Sequence, residues 1–187
     1  MTQIKEVAAA PAARCRDAVD RRPYAPAAVA AKGTPVSHLV LRELTPQRFD
    51  QAFPLARAVA PRLTLGAWRG YLRALQDDGG GLLAVENQRG VLLGLAAYRL
   101  RRDLADGLCL ESDPVVVFDL VGGSAVAATL AEALERRAGE LGCATLHTHL
   151  LGDRIARAGD PLHRAFAAQG HRAEATRLCK RLPQGTA

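Results

Sequence analysis

Residues 121–131 read VGGSAVAATLA and follow a run of β-branched residues, Val115, Val116 and Val117. A strand, a glycine-serine turn and a helix in that order present backbone N–H groups to an anion. Gly122 and Gly123 let the backbone approach such a group closely, and Ser124 adds a hydroxyl. The amides of Ala125, Val126 and Ala127 fall in the first helical turn, where no carbonyl of the helix accepts from them. The same residues also read as an ordinary turn with Ser124 as its N-cap.

Two further pairs carry proton or metal chemistry. Glu111 and Asp113 are two residues apart on a strand pattern, so they share a face, either as proton acceptors, or as an edge-exposed acidic pair or a salt bridge with Arg99 or Arg101. His147 and His149 share a face of the next strand. A histidine there can move a proton; the pair supplies two metal ligands with no third evident, so no metal is expected. Solvated or core histidines are the plain alternative. His163 and His171 border a later helix without an assigned role. Arg154 and Arg157 lie in a loop, where they are solvated or steer an acidic ligand. The four cysteines (Cys15, Cys109, Cys143 and Cys179) make neither a C-x-x-C motif nor a zinc pattern. Cys109 and Cys143 read as small core hydrophobes.

The elements that position these groups follow from periodicity. Leu39 and Leu41 alternate in a strand over 38–44. Thr45 and Pro46 read as an N-cap and first helical residue, opening a helix that Pro54 kinks or breaks. Leu65, Trp68, Leu72 and Leu75 share one face of a helix over 64–76. Strands over 81–87, 91–102 and 108–117, joined by short connections, form an antiparallel meander. Pro114 lacks a ladder donor, so a bulge or interrupted pairing is expected beside it. Val126, Leu130, Leu134, Ala138 and Leu141 line one face of a helix over 125–141. A strand over 143–151 follows, then a helix over 161–170 capped by Asp160, and a last strand over 171–182. The order is β-α-α-β-β-β-α-β-α-β: an α/β domain with a mixed central sheet.

Residues 1–35, rich in Ala, Pro and Arg, read as a flexible tail, and residues 36–187 as one domain. Hydrophobic residues make up 49% of the 187, enough for a sizeable core, but aromatics only 4%, so aliphatic and alanine packing must fill it. The net charge is +6, and half of that excess lies in the tail. No basic stripe interleaved with aromatics and no helix-turn-helix pattern points to specific nucleic-acid binding. No apolar run reaches the roughly 18–20 residues that span a membrane, and no secretory h-region opens the chain. The expected compartment is the cytoplasm.

The element order and the segment SDPVVVFDLVGGSAVAATLAEALERRAGELGCATLHTHL resemble the GNAT superfamily of acyl-CoA-dependent N-acyltransferases. FAAQGHRAEATRLCKRL is similar to that family's last helix, its terminal Gly and its final strand. The resemblance spans nearly the whole domain and implies a GNAT-like sheet with acetyl-CoA, or another acyl-CoA, as cosubstrate. It implies an amine acceptor, a small molecule or a protein, and dimers are common among similar proteins. On that pattern Gly122–Ala127 holds the pyrophosphate and amides of Val115, Val116 or Val117 polarise the thioester carbonyl. Glu111 is the first choice for the amine proton, with Asp113 and His149 beside it. The family's loop pattern, Arg or Gln, two residues, Gly, one residue, then Gly or Ala, meets Gly122, Ala125 and Ala127 here, and only the last fits. Phe166 occupies the place where many members carry a thiolate-protonating tyrosine. The alternative is a catalytically degenerate GNAT-like module that senses CoA or binds a protein.

Overall fold

The computed structural model describes residues 39–118, 124–150, 160–174 and 180. The expected tail, Gly122 and Gly123, and most of the expected last strand lie outside the described residues.

Among the described residues five strands form one sheet in the order β1-β2-β3-β4-β5. They are β1 (Val40–Glu43), β2 (Gly81–Glu86), β3 (Leu92–Asp103), β4 (Gly107–Val117) and β5 (Thr145–Thr148). The first four run antiparallel to their neighbours, and β5 lies parallel to β4. The parallel step is possible because a 17-residue helix, α3 (Ser124–Glu140), carries the chain between them. The helices α1 (Phe53–Val59) and α2 (Leu65–Asp77) cover one face, and α3 and α4 (Pro161–Ala168) the other.

Both faces carry an aliphatic core. Leu130 and Leu134 of α3 are fully buried against Leu83, Ala96 and Leu110, each burial stabilising by about 2 kcal/mol. On the opposite face Trp68, Leu72 and Leu75 of α2 pack on Leu82, Ala84, Leu95 and Ala97. The indole of Trp68 donates to the Phe49 carbonyl at 3.0 Å, which satisfies its buried N–H. Arg137 of α3 donates to the Tyr98 hydroxyl and pairs with Glu43, tying the helix to β3 and β1.

Four sequence expectations change. The segment after Thr45 begins as a 3-10 turn over Pro46–Ala52, and Thr45 makes no side-chain cap. Pro54 starts α1 rather than breaking it, because its missing N–H falls in the first turn, where no partner is needed. β5 is four residues long, half of what alternation suggested, because its pairing with β4 ends at Ser112 and Thr148. Residues 171–174 form no strand. The Asp160 cap is present, its carboxylate accepting from the amides of Leu162 and His163.

Candidate active site

The site is built where β4 and β5 part. The last contact between them is the His149 amide donating to the Ser112 carbonyl at 2.9 Å. β4 continues to Val117, paired from there on with β3 alone among the described residues. The cause lies in the register. Ala96 faces Val115 but Tyr98 faces Ser112, so the single residue Ala97 stands opposite both Asp113 and Pro114. This is the irregularity that Pro114 forecast, and it inserts one residue into β4.

That insertion exchanges the two edges of the strand. Before it, the carbonyls of Leu108 and Ser112 turn toward β5. Beyond it, the Phe118 amide donates to the Leu93 carbonyl on β3 at 2.8 Å. By the alternation of an antiparallel ladder, Val116 also turns toward β3, and Val115 and Val117 turn their N–H groups to the edge that β5 has left. Of the three valines named from sequence, Val116 is therefore spoken for by the ladder. The open edge ends beside Phe118, whose ring is half exposed. α3 starts shortly after. The amides of Ala125, Val126 and Ala127 occupy its first turn, while the side chains of Val126 and Ala127 are buried in the core.

On the α1/α2 face the same strands carry a polar cluster. Glu111 is 3% exposed, and both its oxygens are held: Arg99 reaches one at 3.2 Å and Arg101 the other at 2.9 Å. Burial pushes its carboxyl up, but the bonds from Arg101 and Arg99 outweigh that and leave it below the ordinary carboxylate value. A carboxylate so paired resists taking a proton at neutral pH, which counts against the role of proton acceptor for which the sequence ranked it first. His149 Nδ1 is buried, 3.5 Å from Asp113 Oδ2 and 3.7 Å from Glu111 Oε1, long for direct hydrogen bonds. His147 is engaged elsewhere, its Nε2 3.2 Å from Asp106 Oδ2. A cavity of about 660 Å³ runs along β5 and α4, and both histidines reach its wall. Among the described residues no three His, Cys, Asp or Glu side chains converge as a metal site.

Solved structures share this architecture at low sequence identity. A Trypanosoma brucei acetyltransferase matches 77% of this chain and 99% of its own length, with TM-score 0.61 and 17% identity. An aminoglycoside N-acetyltransferase crystallised with CoA matches 80% and 98%, with TM-score 0.63 and 18% identity. A ribosomal-protein-alanine N-acetyltransferase from Brucella melitensis matches 78% and 99%, with TM-score 0.60 and 17% identity. The chain has the GNAT fold. No protein-family model matches the sequence, and no curated protein does.

Within the GNAT fold, Phe166 is 2% exposed and sits in the core beneath α3, edge-to-face with the His171 ring at 4.9 Å between centroids. Burial holds the His171 imidazole below its ordinary pKa. Burial likewise raises the thiols of Cys109 and Cys143, as core packing requires. Among the described residues no helix is long and apolar enough to cross a membrane.

Two residues at the site escape a reading of the sequence. Tyr71 on α2 donates its hydroxyl to the Asp113 carbonyl. Burial and the nearby Asp113 carboxylate push its pKa up to about 12, so it remains a neutral donor. Ser112 is fully buried and donates to the Ala97 carbonyl at 2.9 Å. Tyr71 reads in sequence as one more member of the helix face with Trp68, on whose ring it stacks. Ser112 lies between two acidic residues and draws no notice. The partner of each is a backbone carbonyl, which leaves no sequence signature.

Proposed function

We propose that this chain transfers an acetyl or similar acyl group from acyl-CoA to an amine by direct attack in a ternary complex. The observation that carries the reading is the bulge at Asp113–Pro114, beyond which the amides of Val115 and Val117 turn to the edge that β5 leaves after His149. An outward amide on that edge is a donor for a thioester oxygen as it gains charge. The pyrophosphate would meet the first-turn amides of Ala125, Val126 and Ala127, and Gly122, Gly123 and Ser124 are proposed to share in binding it. Solved GNAT-fold neighbours include an enzyme crystallised with CoA.

His149 is the proton acceptor in this reading. Its Nδ1 lies toward the Asp113 and Glu111 carboxylates, and in this reading the ring keeps its proton on that side and offers the lone pair of Nε2. Nε2 takes the proton from the attacking ammonium, and Asp113 and Glu111 stabilise the imidazolium that forms. The amine nitrogen then bonds to the carbonyl carbon, the nitrogen gives up its remaining extra proton to water, and the tetrahedral intermediate collapses with cleavage of the C–S bond. Phe166 has no proton to give, so the sulfur leaves as a thiolate. A free thiol has a pKa near about 8.5, so this costs little at neutral pH.

The test is a calorimetric titration with acetyl-CoA, run beside a Gly123→Glu variant, followed by thiol release against a panel of amines. Binding that the variant abolishes, with release for at least one amine, is the expected result. Binding without release for any amine would leave a CoA-sensing module instead. No binding by the folded protein at millimolar acetyl-CoA would overturn the reading.

A further inference from the structure

At the bulge in β4 two backbone carbonyls each accept a hydrogen bond from a side-chain hydroxyl. Ala97 stands opposite Asp113 and Pro114, of which Pro114 has no N–H to give, and its carbonyl accepts from Ser112 Oγ at 2.9 Å. The Asp113 carbonyl, on the inserted residue, accepts from Tyr71 Oη. Ser112 pins the bulge to the neighbouring strand, and Tyr71 pins it to a helix on the sheet's face. Losing either bond weakens the hold on the bulge and favours another arrangement. For β4 that arrangement is a one-residue slip, which would turn Val116 outward and Val115 and Val117 inward. Trp68, stacked on the Tyr71 ring and anchored to the Phe49 carbonyl, holds the tyrosine itself in place.

We infer that Tyr71 and Ser112 are positioning residues that lock the bulge at Asp113–Pro114, and so decide which β4 amides face the thioester arm of the acyl-CoA. The inference rests on the acyl-CoA reading above, and adds that cofactor-arm recognition is controlled from α2, whose Tyr71 hydroxyl bonds to the bulge. Neither hydroxyl touches the cosubstrate in this account. Their effect is on the thioester and pantetheine half, along β4, and not on the nucleotide half, at the first turn of α3.

The experiment separates those halves. Acetyl-CoA and its 3′-phosphoadenosine diphosphate fragment are each titrated into the wild type, Tyr71→Phe, Ser112→Ala and the double variant, with melting curves as a folding control. Each single variant is expected to weaken acetyl-CoA by about fivefold while changing the fragment by less than about twofold. The double variant is expected to lose less than the product of the two, because both hydroxyls secure one bulge. Equal weakening of both ligands would mean a purely structural role, and unchanged acetyl-CoA binding would mean that the bulge holds without the hydroxyls. Either result overturns the inference while leaving the acyl-CoA reading standing. A folded wild type that binds neither ligand overturns both. If Tyr71→Phe does not fold, Ser112→Ala carries the same comparison alone.

Discussion

Gly94 is the point at which α3 rests on β3, and it sets a sharp test of the packing that aims the helix. A Cβ at this position would lie 2.7 Å from Val126 Cγ1, and 3.2 Å from both Leu130 Cδ1 and the Val116 carbonyl oxygen. Carbon atoms in contact prefer about 3.5–4.0 Å, so the first of these is short by about 1 Å. Val126 cannot swing aside, because a β-branched residue in a helix has essentially one rotamer. The strain therefore passes to the first turn of α3. Overpacking of this kind costs about 1–3 kcal/mol. For a chain of this size that lowers Tm by about 3–10 °C for Gly94→Ala, measured by circular dichroism or calorimetry. Val126→Ala removes the clashing methyl. The double variant Gly94→Ala/Val126→Ala should then lose less stability than the two single losses added together. Acetyl-CoA affinity should fall in Gly94→Ala and recover in the double variant, since the first-turn amides are what the clash displaces. A Gly94→Ala protein within about 0.5 kcal/mol of wild type, or strict additivity in the double variant, would refute the packing argument.

Three other outcomes follow from the site. Val117→Pro removes an amide that faces the open edge, so it should weaken acetyl-CoA about tenfold with little change in Tm, whereas Val116→Pro removes a ladder donor and should cost about 3 kcal/mol of stability. His149→Gln should lower kcat by about a hundredfold while acetyl-CoA affinity, read by calorimetry, stays within about twofold; equal loss of both would remove His149 from the chemistry. Glu111 has a folded-state pKa below its ordinary 4.5, so the stability it contributes is fully present above that value and is lost as pH falls through the depressed one. Melting curves of the wild type should therefore fall on the acid side of about pH 4.5, and Glu111→Gln should flatten that limb at the cost of lower stability at neutral pH.

Much of the fold is legible because the patterns are local. Trp68, Leu72 and Leu75 mark α2, and Val126, Leu130, Leu134 and Ala138 mark α3, each by spacing alone. The turn at Asp160 and Pro161 is equally plain. The site is less legible, because its geometry depends on register. Pro114 announces an irregularity, but whether Val116 or its neighbours face outward depends on how many residues of β4 stand opposite Ala97, which only the pairing with β3 decides. Glu111 and Asp113 share a strand face in the sequence, with Glu111 the first choice and Asp113 close behind. They diverge because Arg99 and Arg101, on the adjacent strand, both close on Glu111. Gly94 carries a faint signal, since an isolated glycine in a strand marks close approach by another element, yet nothing in the sequence says that the element is α3.

The parallel pairing of β4 with β5 has a consequence for how the molecule assembles and comes apart. The meander β2-β3-β4 joins strands through short turns, whereas Cys109 meets Thr145 across a stretch of chain that includes all of α3. Non-local pairings close later and cost more chain entropy. The candidate site thus lies on a seam between a part of the chain that organises early and a strand that arrives late. In partial denaturation the seam should open first, with acetyl-CoA binding lost while the fluorescence of Trp68, buried under the early half, still reports a native core.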